Sequence, residues 1–154
     1  MAIEIERKFL LKYLPSSLLT CGTIICQGYM VNKKDMVVRV RLSGDNAFLT
    51  IKGITCNASR KEYEYSVPQQ DAMEMLSLFC KKPLIEKTRY QIEFKGFEWI
   101  IDLFSGSNKG LVVAEIELDS IDQVFEKPDW IGKEVTHDIR YFNSNLIKAP
   151  YSTW

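Results

Sequence analysis

The chain has 154 residues, 46% of them hydrophobic and 26% charged, which is the composition of one soluble globular domain, and residues 1–154 are read as that single domain. Twenty Lys and Arg balance twenty Asp and Glu, so the net positive field that non-specific binding to nucleic acid or an acidic membrane needs is missing. No apolar run approaches the roughly 20 residues of a membrane span, and Glu4 and Glu6 stand where a secretory signal carries positive charge, so a cytoplasmic protein without nucleic-acid or membrane partners is expected.

Segments of strand character follow one another along the chain, over residues 3–11, 24–32, 36–43, 46–53, 60–67, 85–94, 97–104 and 111–118. The breaks carry residues that tolerate tight bends, as in Asn32-Lys33-Lys34-Asp35, Ser43-Gly44-Asp45-Asn46, Lys95-Gly96 and Ser105-Gly106-Ser107-Asn108. Two helices are predicted. The first runs over Gln70–Lys82, with Met73, Leu76, Phe79 and Cys80 at helical spacing, Asp71 at its start, Lys81 and Lys82 at its end and Pro83 beyond. The second runs over Thr136–Lys148 on Ile139, Phe142, Leu146 and Ile147, with Pro150 following. Short connections imply antiparallel pairing. Eight strands suffice to close a barrel, and an open sheet covered by the helices is the alternative.

The four cysteines, Cys21, Cys26, Cys56 and Cys80, show no C-x-x-C spacing, and His137 is the only histidine. Thiolate zinc sites, a disulfide framework and a Ser-His-Asp or Cys-His nucleophile are all poorly supported. His137 is read as a solvated residue at a helix start.

What alternates on the strands is charge. Glu4, Glu6 and Lys8 share one face of the first strand, against Ile3, Ile5 and Phe9 on the other. Arg39 and Arg41 alternate with Val38, Val40 and Leu42, and Lys52 is in phase with Thr50. Glu62 and Glu64, Lys87 and Arg89, Asp102, and Glu115 and Glu117 alternate with apolar or aromatic residues in the same way. A solvated outer face is the ordinary reading of any one such strand. Repeated like-charged pairs at i and i+2 argue for more, because they repel unless an opposite charge lies between them. With these faces turned inward the result is a wet channel with acidic and basic surfaces and a core outside it. Carboxylates without histidine or thiolate suit Mg²⁺ or Mn²⁺. Paired arginines suit phosphate. That inventory is enough for phosphoryl transfer, which asks mainly for positioning and charge neutralisation.

Glu4-Ile5-Glu6-Arg7-Lys8 resembles the E-x-E-x-K signature of the CYTH superfamily, the triphosphate tunnel metalloenzymes. Gln27-Gly28-Tyr29, Val38-Arg39-Val40-Arg41, Thr50-Ile51-Lys52-Gly53, Glu62-Tyr63-Glu64, Lys87-Thr88-Arg89-Tyr90, Ile101-Asp102, Ala114-Glu115-Ile116-Glu117 and Gly132-Lys133-Glu134-Val135-Thr136 follow in the family's order. The resemblance covers essentially the whole chain. It implies a mainly β fold, an eight-stranded antiparallel β-barrel tunnel with a few flanking helices. It further implies metal ligation by Glu4, Glu6, Glu115 and Glu117, a second ion held by Glu64 with Asp102, and a triphosphate gripped by Lys8, Arg39, Arg41, Lys52, Lys87 and Arg89. Lys133 is a further substrate-binding candidate and Glu62 an additional site residue. Lys8 and Tyr29 compete as the group that orients or deprotonates the attacking water, Tyr29 on the premise that nearby cations lower its pKa.

The activity so implied is hydrolysis of a triphosphate-containing small molecule, with Mg²⁺ or Mn²⁺ as cofactor. Inorganic tripolyphosphate is favoured, because few residues remain to build a pocket for adenine, thiamine or an RNA cap. A class IV adenylate cyclase, a thiamine triphosphatase and a non-enzymatic polyphosphate or nucleotide sensor stay open, as do a monomer and a homodimer.

Overall fold

The computed structural model describes residues 5–56 and 59–154. Its strands are β1 (Ile5–Leu11), β2 (Thr23–Asn32), β3 (Val37–Ser43), β4 (Asn46–Cys56), β5 (Ser59–Ser66), β6 (Ile85–Phe94), β7 (Phe97–Ser105), β8 (Val112–Leu118) and β9 (Ile131–Glu134). All pairings are antiparallel, and the nine strands form one sheet in the order β5-β4-β3-β2-β6-β7-β8-β1-β9. The sheet is mainly β with two helices, as expected, but the eight-stranded closed barrel is corrected on two points. A ninth strand is present, and β5 and β9 end the sheet without pairing to each other. β9 has only four residues, too few to show alternation. A β carbon at its Gly132 would come 3.0 Å from the Leu10 carbonyl oxygen, so glycine lets β9 lie close against β1.

The other strands fall within a few residues of their expected bounds because the turn chemistry was explicit. The β3–β4 turn places Gly44 at φ 57°, and the β6–β7 turn holds Lys95 and Gly96 at φ 48° and 82°, the left-handed pair a two-residue hairpin needs.

The helices depart more from expectation. α1 runs over Gln69–Leu78 with Asp71 in its first turn, and ends before Lys81 and Lys82. It buries Ala72 and Leu76, whereas Met73 and Phe79 are largely exposed. The helix predicted over 136–148 is broken. A 3-10 turn at Ile139–Tyr141 and a four-residue α2 (Asn143–Leu146) flank Phe142, whose ψ of 130° is extended. Polar side chains compete with helical pairing there: Asp138 accepts from the Arg140 N–H, and Asn145 Nδ2 donates to the Ile139 carbonyl. Tyr141, Leu146 and Ile147 are buried in place of Ile139 and Phe142.

Apolar burial forms three clusters. α1 covers the outer face of β3 and β4 through Val40, Ala47, Ala72, Leu76 and Cys80. The outer face of β1, β7 and β8 packs Phe9, Trp99, Ile101 and Ile116 under Trp130 and Phe125. A third cluster lies on the inner face, contrary to the expectation of a core wholly outside: Tyr29, Ile85, Phe104, Leu111 and Val113 meet Tyr141, Leu146 and Ile147 of the C-terminal segment. Among the described residues, Cys21, Cys26 and Cys80 are free thiols. Among the described residues no helix is long and apolar enough to cross a membrane.

Candidate active site

Register decides which side chains meet. Lys8 lies opposite Glu115 and Glu6 opposite Glu117 across β1 and β8. Arg39 pairs with Tyr29 and Thr50, Arg41 with Gln27, Lys52 with Glu62, and Arg89 with Asp102. Directly opposite residues of an antiparallel pair share a face, so one alternating phase from each strand except β9 is carried to the same inner surface. Glu6, Lys8, Tyr29, Arg39, Arg41, Lys52, Glu62, Glu64, Lys87, Arg89, Glu115 and Glu117 accordingly line one cavity of about 660 Å³. Glu6 and Glu117 are exposed and Glu115 is buried. The acidic wall thus runs inward from solvent, and the inner apolar cluster lies beyond it.

Glu4 lies outside the described residues, and two other expected residues are placed away from the cavity lining. Lys133 is exposed on β9 and does not line the cavity. Asp102 is 1% exposed and spends its carboxylate on neighbours. Lys87 Nζ donates to Oδ2 at 2.6 Å, and Arg89 donates through Nε to Oδ1 and through Nη2 to Oδ2, both at 2.8 Å. Its pKa is lowered: burial opposes this, but Lys87 and Arg89 outweigh it. Asp102 therefore holds two cations in position rather than facing the cavity.

The acidic wall carries its own cation. Lys8 Nζ is 3.2 Å from Glu115 Oε1 and 3.8 Å from Glu6 Oε1. Burial works against its charge, yet Glu115 and Glu6 raise its pKa above the ordinary lysine value, which favours the ammonium form. For Tyr29 the premise that nearby cations lower its pKa is what changes. Burial raises its pKa, and the opposing fields of Arg39, Arg41 and Lys8 do not offset that, so the phenol keeps its proton.

The basic wall is less compensated. Arg39 donates to Thr50 Oγ1 at 3.2 Å and lies 3.6 Å from Glu64, while its buried Nε has no partner among the described residues. Thr50 also donates to Glu64 at 2.9 Å. Lys52 lies 3.1 Å from Glu62. Among the described residues Arg41 has only an amide partner, donating from Nε to Gln27 Oε1 at 2.9 Å. Burial and the charges of Arg39 and Arg89 lower its pKa to about 10. An orphaned guanidinium N–H beside a crowded, unneutralised one is a seat for an oxyanion.

Sequence reasoning missed Thr136, Phe142, Asn143 and Ser144, which close the lining from the C-terminal segment. Asn143 Oδ1 accepts from Lys87 Nζ at 3.2 Å, and Asn32 Nδ2 donates to the Ser144 carbonyl at 3.0 Å. Thr136 accepts from the Lys8 N–H at 3.0 Å and donates to Glu134 at 2.7 Å; Glu134 in turn accepts both Arg7 bonds, at 2.7 and 2.6 Å. The Gly132–Thr136 motif gave a signal, but it drew attention to Lys133 alone.

As to a divalent ion, the donors are carboxylates without histidine or thiol, which fits a hard cation. Among the described residues no three metal-binding side chains cluster. Magnesium commonly uses one or two carboxylates together with substrate phosphates and water, so Glu6, Glu115 and Glu117 suit an ion shared with a phosphate chain.

Comparison with known proteins agrees with this geometry. The family model for the CYTH domain matches residues 2–151. An inorganic triphosphatase of Acetivibrio thermocellus is 50% identical over 154 residues, covering 100% of this chain and 99% of that protein. One of Nitrosomonas europaea is 37% identical over 147 residues, covering 93% and 95%. A crystal structure of an inorganic triphosphatase superposes with a TM-score of 0.71 at 35% identity, covering 96% of this chain and 95% of that one.

Proposed function

The chain belongs to the CYTH family, and on that premise we propose that it hydrolyses a terminal phosphoanhydride bond of inorganic tripolyphosphate with the help of Mg²⁺ or Mn²⁺. Water attacks the terminal phosphorus, the P–O bond to the neighbouring phosphate breaks, and orthophosphate and pyrophosphate leave. The observation that carries this reading is the uncompensated Arg41, crowded by Arg39 and Arg89 within a charged cavity. A bound polyanion is what would neutralise it. The triphosphatase class is supported by two relatives of that name that align with nearly the whole chain.

Arg39, Arg41, Lys52, Lys87 and Arg89 would bind and straighten the phosphate chain, with Asp102 keeping Lys87 and Arg89 in place. Glu4, Glu6, Glu115 and Glu117 would hold the ion, and Glu64 lies across the cavity beside Arg39. When bound, a divalent cation supplies charge neutralisation at the phosphate oxygens. Lys8, kept protonated by Glu115 and Glu6, offers a positive charge between acids and phosphate. Tyr29, also protonated, is a hydrogen-bond donor. A loose phosphoryl-transfer transition state needs such donors more than a strong base.

The test is phosphate release from tripolyphosphate with Mg²⁺ or Mn²⁺. Turnover is expected, and R41A should lower it by roughly 10²-fold. Tight binding without release would favour a sensor. Formation of cyclic AMP and pyrophosphate from ATP would favour the cyclase.

A further inference from the structure

Gln27 is 1% exposed and stands on β2 between the two groups just described. Arg41 Nε donates to Gln27 Oε1 at 2.9 Å. A guanidinium has no acceptor, so the amide oxygen must face Arg41. The amide nitrogen is thereby turned toward Tyr29, and Nε2 donates to the hydroxyl oxygen at 3.3 Å. A hydroxyl that accepts from Gln27 has its own proton to give elsewhere, and Tyr29 lines the cavity.

The partner's neutrality is the second observation. Lys8 has Glu115, Arg39 has Glu64, Lys52 has Glu62, and Lys87 and Arg89 share Asp102, each within 4 Å. Arg41 differs from these lining cations: among the described residues it is held by an uncharged amide and has no carboxylate within 4 Å. A glutamate of the same length would hold it equally well and cancel its charge.

We propose that Gln27 is a positioning residue, which aims the Arg41 guanidinium and the Tyr29 hydroxyl proton together at the bound triphosphate and, being neutral, leaves the charge of Arg41 for the substrate. This rests on the triphosphatase reading. Two variants of nearly equal volume separate orientation from charge. Q27M removes both hydrogen bonds, whereas Q27E keeps the contact to Arg41 and neutralises it.

The experiment is steady-state phosphate release from tripolyphosphate with Mn²⁺, reading KM and kcat separately, since KM does not depend on the fraction of protein that folds. Q27E should raise KM about tenfold or more, the worth of a charge-assisted contact, and Q27M about threefold. A KM for Q27E within twofold of the parent overturns the proposal, and so does a Q27M increase equal to that of Q27E. No release by the parent protein under either metal is a different outcome, and overturns the triphosphatase reading itself.

Discussion

Asp102 shows how a side chain's role follows from what its oxygens already do. Its alternation with Ile101 and Leu103 put it on the correct face, and the sequence went no further, because a carboxylate facing an ion and one facing two cations are the same letter. D102N would leave Lys87 and Arg89 buried against a neutral amide. Losing one member of a buried ion pair costs about 3–5 kcal/mol, so thermal unfolding should show a melting temperature lower by about 10 °C. The depressed pKa sets the sign of the pH dependence. The carboxylate is stabilising above the ordinary 3.8 of aspartate, and that contribution is lost as pH falls toward the lowered folded value. The gap between parent and D102N should be full at pH 7 and narrow below about pH 4. A residue that served only as a metal ligand would instead leave metal-free stability unchanged and shift the metal titration.

Among the elements, β9 does most with fewest residues. It pairs with β1, the Val135 N–H donates to the Lys8 carbonyl at 2.8 Å, and Arg7, Glu134 and Thr136 tie the pair together from the side. The hydrogen bonds from Arg7 lower the Glu134 pKa from 4.5 to about 2, so this tie stabilises above pH 4.5 and is lost as pH falls toward about 2. Both side chains are about one-third exposed, so water screens the pair and E134Q should cost less than about 1 kcal/mol, read as a drop of a few degrees in melting temperature at pH 7 that disappears near pH 2. The eight longer strands were legible because hydrophobic alternation and Gly, Asn and Asp turns signal locally. β9 was not, having four residues with a glycine among them. The segment over 136–148 misled because Ile139, Phe142 and Leu146 have helical spacing, while Asp138 and Asn145 hydrogen-bond the backbone and break it.

For the molecule as a whole, local alternation becomes global segregation: one phase of each strand except β9 faces a single cavity, with acids on β1, β5 and β8 and most of the basic residues on β3, β4 and β6. The phase was readable strand by strand. Pairing partners were not, so although Gln27 and Asp102 both stood in recognisable motifs, the contacts of Gln27 with Arg41 and of Asp102 with Lys87 and Arg89 follow only from the fold. The C-terminal lining was hidden for the same reason, since Asn143 and Ser144 come from a remote turn folded over the cavity. On the proposed reading the phosphate chain would lie between the Arg39–Arg41–Lys87 wall and the Glu6–Glu115–Glu117 wall. A crystal structure of the full chain with tripolyphosphate and Mn²⁺, the metal placed by its anomalous signal, measures this directly. The predicted result is manganese between the glutamates and the phosphates, with the far phosphate oxygens on Arg39 and Arg41; manganese or phosphate bound only outside this cavity would contradict the account.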